Sequence, residues 1–157
     1  MLEERTVVEG EKLDFEAYAV KKADVYVVWP YIRSWVKEAL NRSKGEYWPE
    51  DLLKYLSDGT AQLLIVVQGG EVVFHVITEV VDYPRKRYLN VLSMGGERQG
   101  HRYAQYVIDM LEVGARRVKA DAITGYNWPT MARLVRRYGW NLWYTVVGKE
   151  VGNESLH

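Results

Sequence analysis

The sequence contains no cysteine among its 157 residues. Disulfide bonds, thiolate metal sites and a cysteine nucleophile are therefore excluded. Histidine is also scarce, because His75, His101 and His157 are the only three in the chain. None of them has another histidine or a carboxylate at the spacing of a known zinc motif. The sequence therefore predicts no metal site.

The chain also lacks an excess of charge of either sign and a long apolar run. Lys+Arg and Asp+Glu both number 21, so the formal net charge is zero. Proteins that neutralise phosphates usually carry a basic excess, so neither nucleic acid nor an anionic membrane is a predicted partner. No run approaches the ~18 apolar residues of a membrane span, and residues 1–11 are charged rather than apolar.

Short basic clusters leave a nucleic-acid interface as an alternative. With zero net charge, an ordinary solvated face is the favoured interpretation of each cluster. The clusters are Arg85, Lys86 and Arg87, then Arg116, Arg117 and Lys119, then Arg133, Arg136 and Arg137.

Aromatic residues are abundant, with twelve Tyr, six Trp and two Phe. Large rings with polar tips are most often core residues whose tips reach the surface, and that is the favoured interpretation. A ligand groove lined by aromatic rings is the alternative.

The hydrophobic pattern predicts a single α+β domain over residues 1–157, with 1–12 and 149–157 as flexible tails. Pro30 is expected to help start the first helix, and the Gly69-Gly70 pair predicts a two-residue hairpin turn. Gly139 stands where a left-handed helix cap is expected. Strands are predicted at 13–20, 62–68, 71–81, 88–94, 120–125 and 142–147, and helices at about 30–43, 49–58, 101–117 and 129–139.

The strands on either side of the 101–117 helix need a crossover connection, which makes them parallel neighbours. The other strands follow one another through short turns and are expected to be antiparallel. The fold class is therefore a mixed, mostly antiparallel sheet of about six strands, flanked by about four helices.

This order of elements and two short motifs resemble the GCN5-related N-acetyltransferase (GNAT) superfamily. The motifs are the loop at 95–102 (GGERQGHR) and the segment 127–134 (NWPTMARL), which leads to 138–140 (YGW). The resemblance implies an acyl-CoA site in which loop amides and a helix N-terminus hold the pyrophosphate. The cofactor-binding residues that it implies are Met94, Glu97, Arg98, Gln99, Gly100, His101, Arg102 and Asn127.

Two of three key loop positions depart from the family pattern. Gly100 matches the first motif glycine, whereas Glu97 replaces a Gln or Arg and Arg102 replaces a second small residue. A carboxylate facing a pyrophosphate is unfavourable, although the Arg102 cation can pair with phosphate. The resemblance therefore implies weak or absent binding of acetyl-CoA.

The catalytic groups that the resemblance implies are also incomplete. The tyrosine that protonates the departing thiolate in the family lies four residues before the glycine of the second motif, where this chain has Val135. Tyr138 is the candidate replacement, although a core position is the favoured interpretation for Tyr138 and for Tyr126. Glu79 and Asp82 are the candidate general bases, although solvated edge charges are the favoured interpretation of both.

The sequence also resembles the small GNAT-like proteins of short-tailed bacteriophages, in which the same loop is degraded. The expectation is a GNAT-fold protein, weakly active or inactive, that serves as a phage structural or accessory protein and contacts other virion proteins. It would lie in the cytoplasm or within a virion. The alternative is an active acetyl-CoA-dependent N-acyltransferase acting on a small amine or a protein amine.

Overall fold

The computed structural model describes residues 2–6, 15–97, 100–126 and 135–152, with the backbone alone for 2–6, 100 and 101. The chain divides into two compact units, Met1–Tyr126 and Asn127–His157.

The first unit is built on one six-stranded sheet whose strands follow their order in the sequence. Neighbouring strands are antiparallel except the last pair, which is parallel. The strands are β1 (Leu2–Thr6), β2 (Phe15–Val20), β3 (Ala61–Gln68), β4 (Glu71–Asp82), β5 (Arg87–Gly96) and β6 (Ala122–Gly125). The helices are α1 (Val25–Leu40), α2 (Pro49–Asp58) and α3 (Ala104–Arg117), the last preceded by a 3₁₀ turn at Gly100–Tyr103.

The predicted fold class and the three-strand meander are confirmed. Gly69 and Gly70 have φ values of 59° and 79°, so both occupy the left-handed region that this hairpin turn requires. The predicted crossover is also present, because α3 connects β5 to a parallel β6. β1 lies in a segment for which the sequence predicted no strand.

Pro30 does not start a helix, contrary to the prediction. The first helix already begins at Val25 and contains Pro30 in its second turn. Proline removes one backbone donor there, a cost that buried contacts of the same helix offset. The buried residues recur at helical spacing and form one apolar stripe against the sheet: Val25, Val28, Trp29, Ile32 and Val36.

The sheet is covered by helices on both faces. One face packs against α1 and α2, where Leu52, Leu63 and Ile77 are among the buried core residues. Tyr103, at the start of α3, packs its ring on the opposite side of the sheet. Its ring centroid lies 4.5 Å from that of Phe15 and 6.2 Å from that of Phe74. The candidate site described below lies on the α1–α2 face.

The predicted strand at 142–147 is wrong, since residues 140–152 form no strand with any described residue. Apolar alternation satisfies only one requirement of a strand, and the ladder also needs a hydrogen-bonding neighbour. Within the second unit, Gly139 has a φ of 89°, which confirms the left-handed residue expected at the helix end.

Replacing Gly96 with alanine should destabilise the protein by about 2 to 3 kcal/mol, the usual range for a forced clash. A Cβ on Gly96 would lie 2.2 Å from the Val73 carbonyl oxygen and 2.8 Å from the Phe74 Cα, so backbone must move. The matched control is Gly95→Ala, whose Cβ would meet only the His75 ring, at 3.8 Å. Urea unfolding measures both variants. Equal midpoints for the two would contradict the close approach of β5 to β4.

Candidate functional site

The strands β5 and β6 are paired along only the first part of β5. Their parallel register runs from Tyr88 opposite Ala122 to Val91 opposite Gly125, whereas β5 continues to Gly96. Residues 92–96 therefore have an edge that pairs with no described strand. Backbone N–H and C=O groups on such an edge are open to an extended ligand.

A β-bulge between β4 and β5 lies where the β5–β6 pairing ends. Ile77 pairs with Ser93 and Thr78 pairs with Val91, so Leu92 is an extra residue in β5. A bulge bends its strand and increases the local twist, while β5 remains paired with β4 from Ser93 to Gly96. The open edge of β5 therefore begins where the β6 ladder ends, beside this bulge.

A polar line of three side chains crosses three adjacent strands beside the end of the β5–β6 pairing. Its members are Glu79, Asn90 and Thr124. The three residues occupy paired positions in β4, β5 and β6. The Asn90 Nδ2 donates to Glu79 Oε2 at 3.1 Å, and the Thr124 hydroxyl donates to Asn90 Oδ1 at 3.0 Å. Glu79 is half-buried on an interior strand, so it is not the solvated edge charge that the sequence favoured.

The Tyr47 side chain lies within electrostatic range of Glu79. Tyr47 and Tyr55 pack against the core of the α1–α2 face, and their rings meet edge to face with centroids 6.2 Å apart. Burial raises the pKa of Tyr47, and the negative charge of Glu79 raises it further. Tyr126, directly after β6, is 82% exposed rather than in the core.

The loop after β5 is where the sequence predicted a pyrophosphate site. The Glu97 amide already donates to the Val73 carbonyl at 3.1 Å, so this amide is occupied by β4. Gly100, His101 and Arg102 lie in the 3₁₀ turn before α3. The loop and the helix start are therefore adjacent, as predicted. Arg98 and Gln99 lie outside the described residues.

The remaining predicted site residues belong to different parts of the chain. Met94 lies on the open part of β5. Asp82 forms an exposed ion pair with Arg87 at 2.7 Å, which makes it the solvated charge of the two alternatives. Tyr138 belongs to the second unit, and its catalytic role stays a prediction. Asn127 lies outside the described residues.

Known structures identify this architecture. A predicted acetyltransferase from Clostridium acetobutylicum, solved with acetyl-CoA, shares 15% identity and a TM-score of 0.67, covering 91% of this chain and 99% of its own. A GCN5-related N-acetyltransferase from Ralstonia eutropha shares 16% identity and a TM-score of 0.65, covering 87% and 98%. The chain has the GNAT fold. No family model matches the sequence, and no curated protein does so either.

A third GNAT-fold relative is an aminoglycoside acetyltransferase from an uncultured soil sample, solved in complex with sisomicin. It shares 12% identity and a TM-score of 0.67, and the alignment covers 90% of this chain and 97% of that one. At these identities the likeness establishes the GNAT fold, while the chemistry has to be argued from this chain's own residues.

In the described parts of the chain, no three His, Cys, Asp or Glu side chains lie together as metal ligands would. The helices there are all too short or too polar to cross a bilayer.

Sequence reasoning missed a buried pair beneath the open part of β5. His75 is fully buried, and its Nε2 lies 2.8 Å from the Ser93 hydroxyl. Its ring is stacked with Trp35 at a centroid distance of 6.4 Å. Among the described residues its Nδ1 has no hydrogen-bond partner. Burial lowers the pKa of His75 to about 4, with the Gly95 backbone only partly opposing the shift, so the ring is neutral at neutral pH.

The free energy of unfolding should fall as the pH drops from 6.5 toward 4. In this range His75 becomes protonated in the unfolded chain, whereas burial keeps it neutral in the folded chain. Between pH 7 and pH 5 this group should account for about 2 kcal/mol, at about 1.4 kcal/mol per pKa unit. Urea unfolding of the wild type and of His75→Gln at both pH values measures the difference. The carboxylates are the same in the wild type and in His75→Gln, so their contribution to the pH dependence cancels when the two proteins are compared. Equal losses in the two proteins would refute the assignment.

Proposed function

We propose that this chain is an acyl-CoA-dependent N-acyltransferase that holds the pantetheine arm firmly, holds the pyrophosphate weakly, and transfers its acyl group slowly. The observation that carries the proposal is the open edge of β5 beyond Val91, with the Leu92 bulge at its start. The amides of a pantetheine arm can pair with such an edge as an added strand would. Orienting the thioester in this way lowers the barrier to attack by an amine.

Weak pyrophosphate binding follows from three features of the loop after β5 and the 3₁₀ turn that follows it. The Glu97 side chain is exposed and adds a negative charge where phosphates would lie. Its amide is unavailable as an anion donor, because it is bonded to Val73. Glycine would let phosphate oxygens approach at the second small-residue position of the family pattern, but the chain has Arg102 there. These features support the weak acetyl-CoA binding that the sequence predicted.

Glu79 is the general base of the proposed reaction. Its Oε2 is oriented by a hydrogen bond from Asn90, and Asn90 is oriented in turn by a hydrogen bond from Thr124, near the end of the β5–β6 pairing. In the transfer the amine nitrogen attacks the thioester carbonyl, a C–N bond forms and the C–S bond breaks. Glu79 accepts the proton that the amine loses, and the CoA thiolate gains a proton. Tyr138 stays the predicted donor of that second proton.

Replacing Glu97 with glutamine should tighten acetyl-CoA binding by ~3-fold, as expected for removing like-charge repulsion near a screened surface. Binding of S-acetylpantetheine, which lacks the nucleotide and every phosphate, should not change. Calorimetry with both ligands measures the effect, and Glu71→Gln at the β3–β4 hairpin is the control for loss of an exposed carboxylate.

Two results would overturn the proposal. If neither ligand binds at millimolar concentration, the open edge of β5 is not a pantetheine site. If acetyl-CoA binds ~100-fold more tightly than S-acetylpantetheine, the loop is a competent pyrophosphate site and slow transfer loses its explanation.

Glu79→Gln should lower kcat for acetylation of an alkylamine by ~10-fold or more, while KM for acetyl-CoA changes little, because a general base acts in the chemical step. Glutamine keeps an oxygen that accepts from Asn90, so the fold should survive. Asp82→Asn is the matched control, since Asp82 is paired with Arg87 at the surface. A steady-state assay of thiol release measures both variants. Equal kcat values in the two would rule out Glu79 as the base.

The role as a phage structural or accessory protein rests on the sequence resemblance alone and stays a prediction. This role predicts a protein that folds normally and binds no acyl-CoA. Calorimetry with acetyl-CoA tests that expectation.

A further inference from the structure

Two basic clusters that are distant in the sequence lie side by side at one end of the sheet, where the turn between β4 and β5 contacts the end of α3. We propose that this surface, here called the hairpin–helix patch, binds single-stranded nucleic acid. The inference is independent of the proposed acyl transfer. The patch consists of the exposed residues Tyr83, Arg85, Lys86, Arg116, Arg117 and Lys119.

Arg87, the first residue of β5, holds the turn against the end of α3. Its guanidinium Nη1 donates to the Val118 carbonyl at 2.9 Å. Its backbone N–H donates to Asp121 Oδ2 at 2.9 Å, and the Asp121 amide donates to the Arg87 carbonyl at 2.7 Å. These hydrogen bonds fix the two basic clusters beside each other, an arrangement that their separation in sequence does not show.

The net charge of zero is unevenly distributed. Residues 82–87 and 112–121 contain six Lys or Arg and three Asp or Glu, a net charge of +3, so the remaining 15 Lys or Arg and 18 Asp or Glu carry −3. Two of the three carboxylates, Asp82 and Asp121, contact Arg87. Glu112 pairs with Arg116 at 3.7 Å, but an ion pair this exposed contributes little. Zero net charge therefore does not exclude a polyanion at this patch.

Three cations of the patch are available to a ligand. Arg85, Lys86 and Lys119 are exposed, and none of them forms an ion pair with another described residue. Lys119 also has a φ of 58°, a left-handed conformation that is unfavourable for a residue with a Cβ and that glycine adopts freely. The helix end alone therefore favours glycine at this position, and the lysine adds charge to the patch at a conformational cost.

Tyr83 favours a nucleic acid over other polyanions. Its ring is 54% exposed, and its centroid lies 5.3 Å from that of Tyr88. The Tyr83 amide closes the turn by donating to the Lys86 carbonyl at 2.8 Å, so the ring and the cations belong to one ordered turn. An unpaired base can stack on such a ring while the cations contact phosphates. Bases within a duplex are already stacked, and an acidic peptide has no base.

The patch is separate from the candidate acyl-CoA site. It lies at the start of β5, whereas the loop with the predicted pyrophosphate site follows the last residue of this ten-residue strand. At ~3.3 Å per residue, such a strand spans about 30 Å. Binding of a nucleic acid and binding of acyl-CoA can therefore be tested independently.

Fluorescence anisotropy of a labelled oligothymidylate of about 12 nucleotides tests the proposal with the full chain. The wild type should bind with a Kd of ~30 µM at about 50 mM salt. If about four phosphates are neutralised, raising the salt to about 200 mM should weaken binding by ~50-fold. A DNA duplex of the same length should bind at least ~3-fold more weakly, because its bases cannot stack on Tyr83. A polyglutamate peptide should not displace the oligonucleotide.

Charge variants assign the binding to the patch. Arg85→Gln combined with Lys86→Gln should weaken it by ~5-fold or more and reduce its salt dependence. Lys119→Gly should weaken it by ~3-fold while the free energy of unfolding stays equal or rises, because glycine adopts a positive φ without strain. The matched control is Lys37→Gln combined with Lys44→Gln, which removes two exposed charges elsewhere and should bind as the wild type does.

A further variant tests the stacking contact. Tyr83→Leu should weaken oligothymidylate by ~5-fold, abolish the preference over duplex and leave the salt dependence unchanged, because a ring carries no charge. Urea unfolding of each variant confirms that the fold is retained.

Three results would overturn the inference. The first is no binding of oligothymidylate at ~100 µM protein and about 50 mM salt. The second is an equal loss of affinity in the patch variants and in the control. The third is binding of duplex or of polyglutamate as tight as that of oligothymidylate, which would make the patch a surface for duplex DNA or for acidic proteins. None of these results depends on whether acetyl-CoA binds.

Discussion

The end of the β5–β6 ladder at Val91 and Gly125 is the constraint from which the rest of the site follows. β6 has only four residues, and β5 continues five residues beyond the last pair. The Leu92 bulge lies at the start of this length, whose outer backbone groups pair with no strand among the described residues. In the proposed site, the extended amide groups of a ligand pair with that edge.

The same ladder positions the polar chemistry. Glu79, Asn90 and Thr124 are sequentially distant, yet paired positions in three adjacent strands place their side chains on one face. Each hydrogen bond orients the next side chain, and the line ends one pair before the strands part. Glu79, the proposed general base, and the open edge therefore depend on one register, so a slip of one residue would displace both.

The sequence predicts the strands better than the contacts between them. Periodicity identified the meander, and the Gly69-Gly70 pair identified its hairpin, because both signals are local. The Leu92 bulge has no such signal, since one extra residue within the apolar run at 88–94 leaves the composition unchanged. Without the bulge the partner of Asn90 cannot be assigned. The polar line, and the burial of His75 against Ser93, could thus not be predicted.

Register also explains why the pattern at 142–147 misled and why the loop motif was informative. Alternating side chains show that a segment can form a strand, but pairing needs a partner edge at the right distance, which no local pattern encodes. The loop motif was read from individual residues, and the carboxyl group of Glu97 is evident from the sequence alone. What the sequence could not reveal is that the Glu97 amide is already bonded to Val73, because that bond depends on the close approach of Gly96 to β4.

The hydrogen bond from the Glu97 amide to Val73 limits which part of the loop can move. Gly96 lies so close to β4 that even one methyl group would collide with backbone, so the start of the loop is held by the sheet and cannot move freely to surround an anion. The charge of Glu97, in contrast, can be altered without disturbing any described contact of its side chain. In the proposed site, phosphate affinity is limited in two separable ways, one fixed by the packing of Gly96 against β4 and one set by the exposed carboxylate of Glu97. Removing the second limit leaves the first in place, which is why only a modest gain is expected from it.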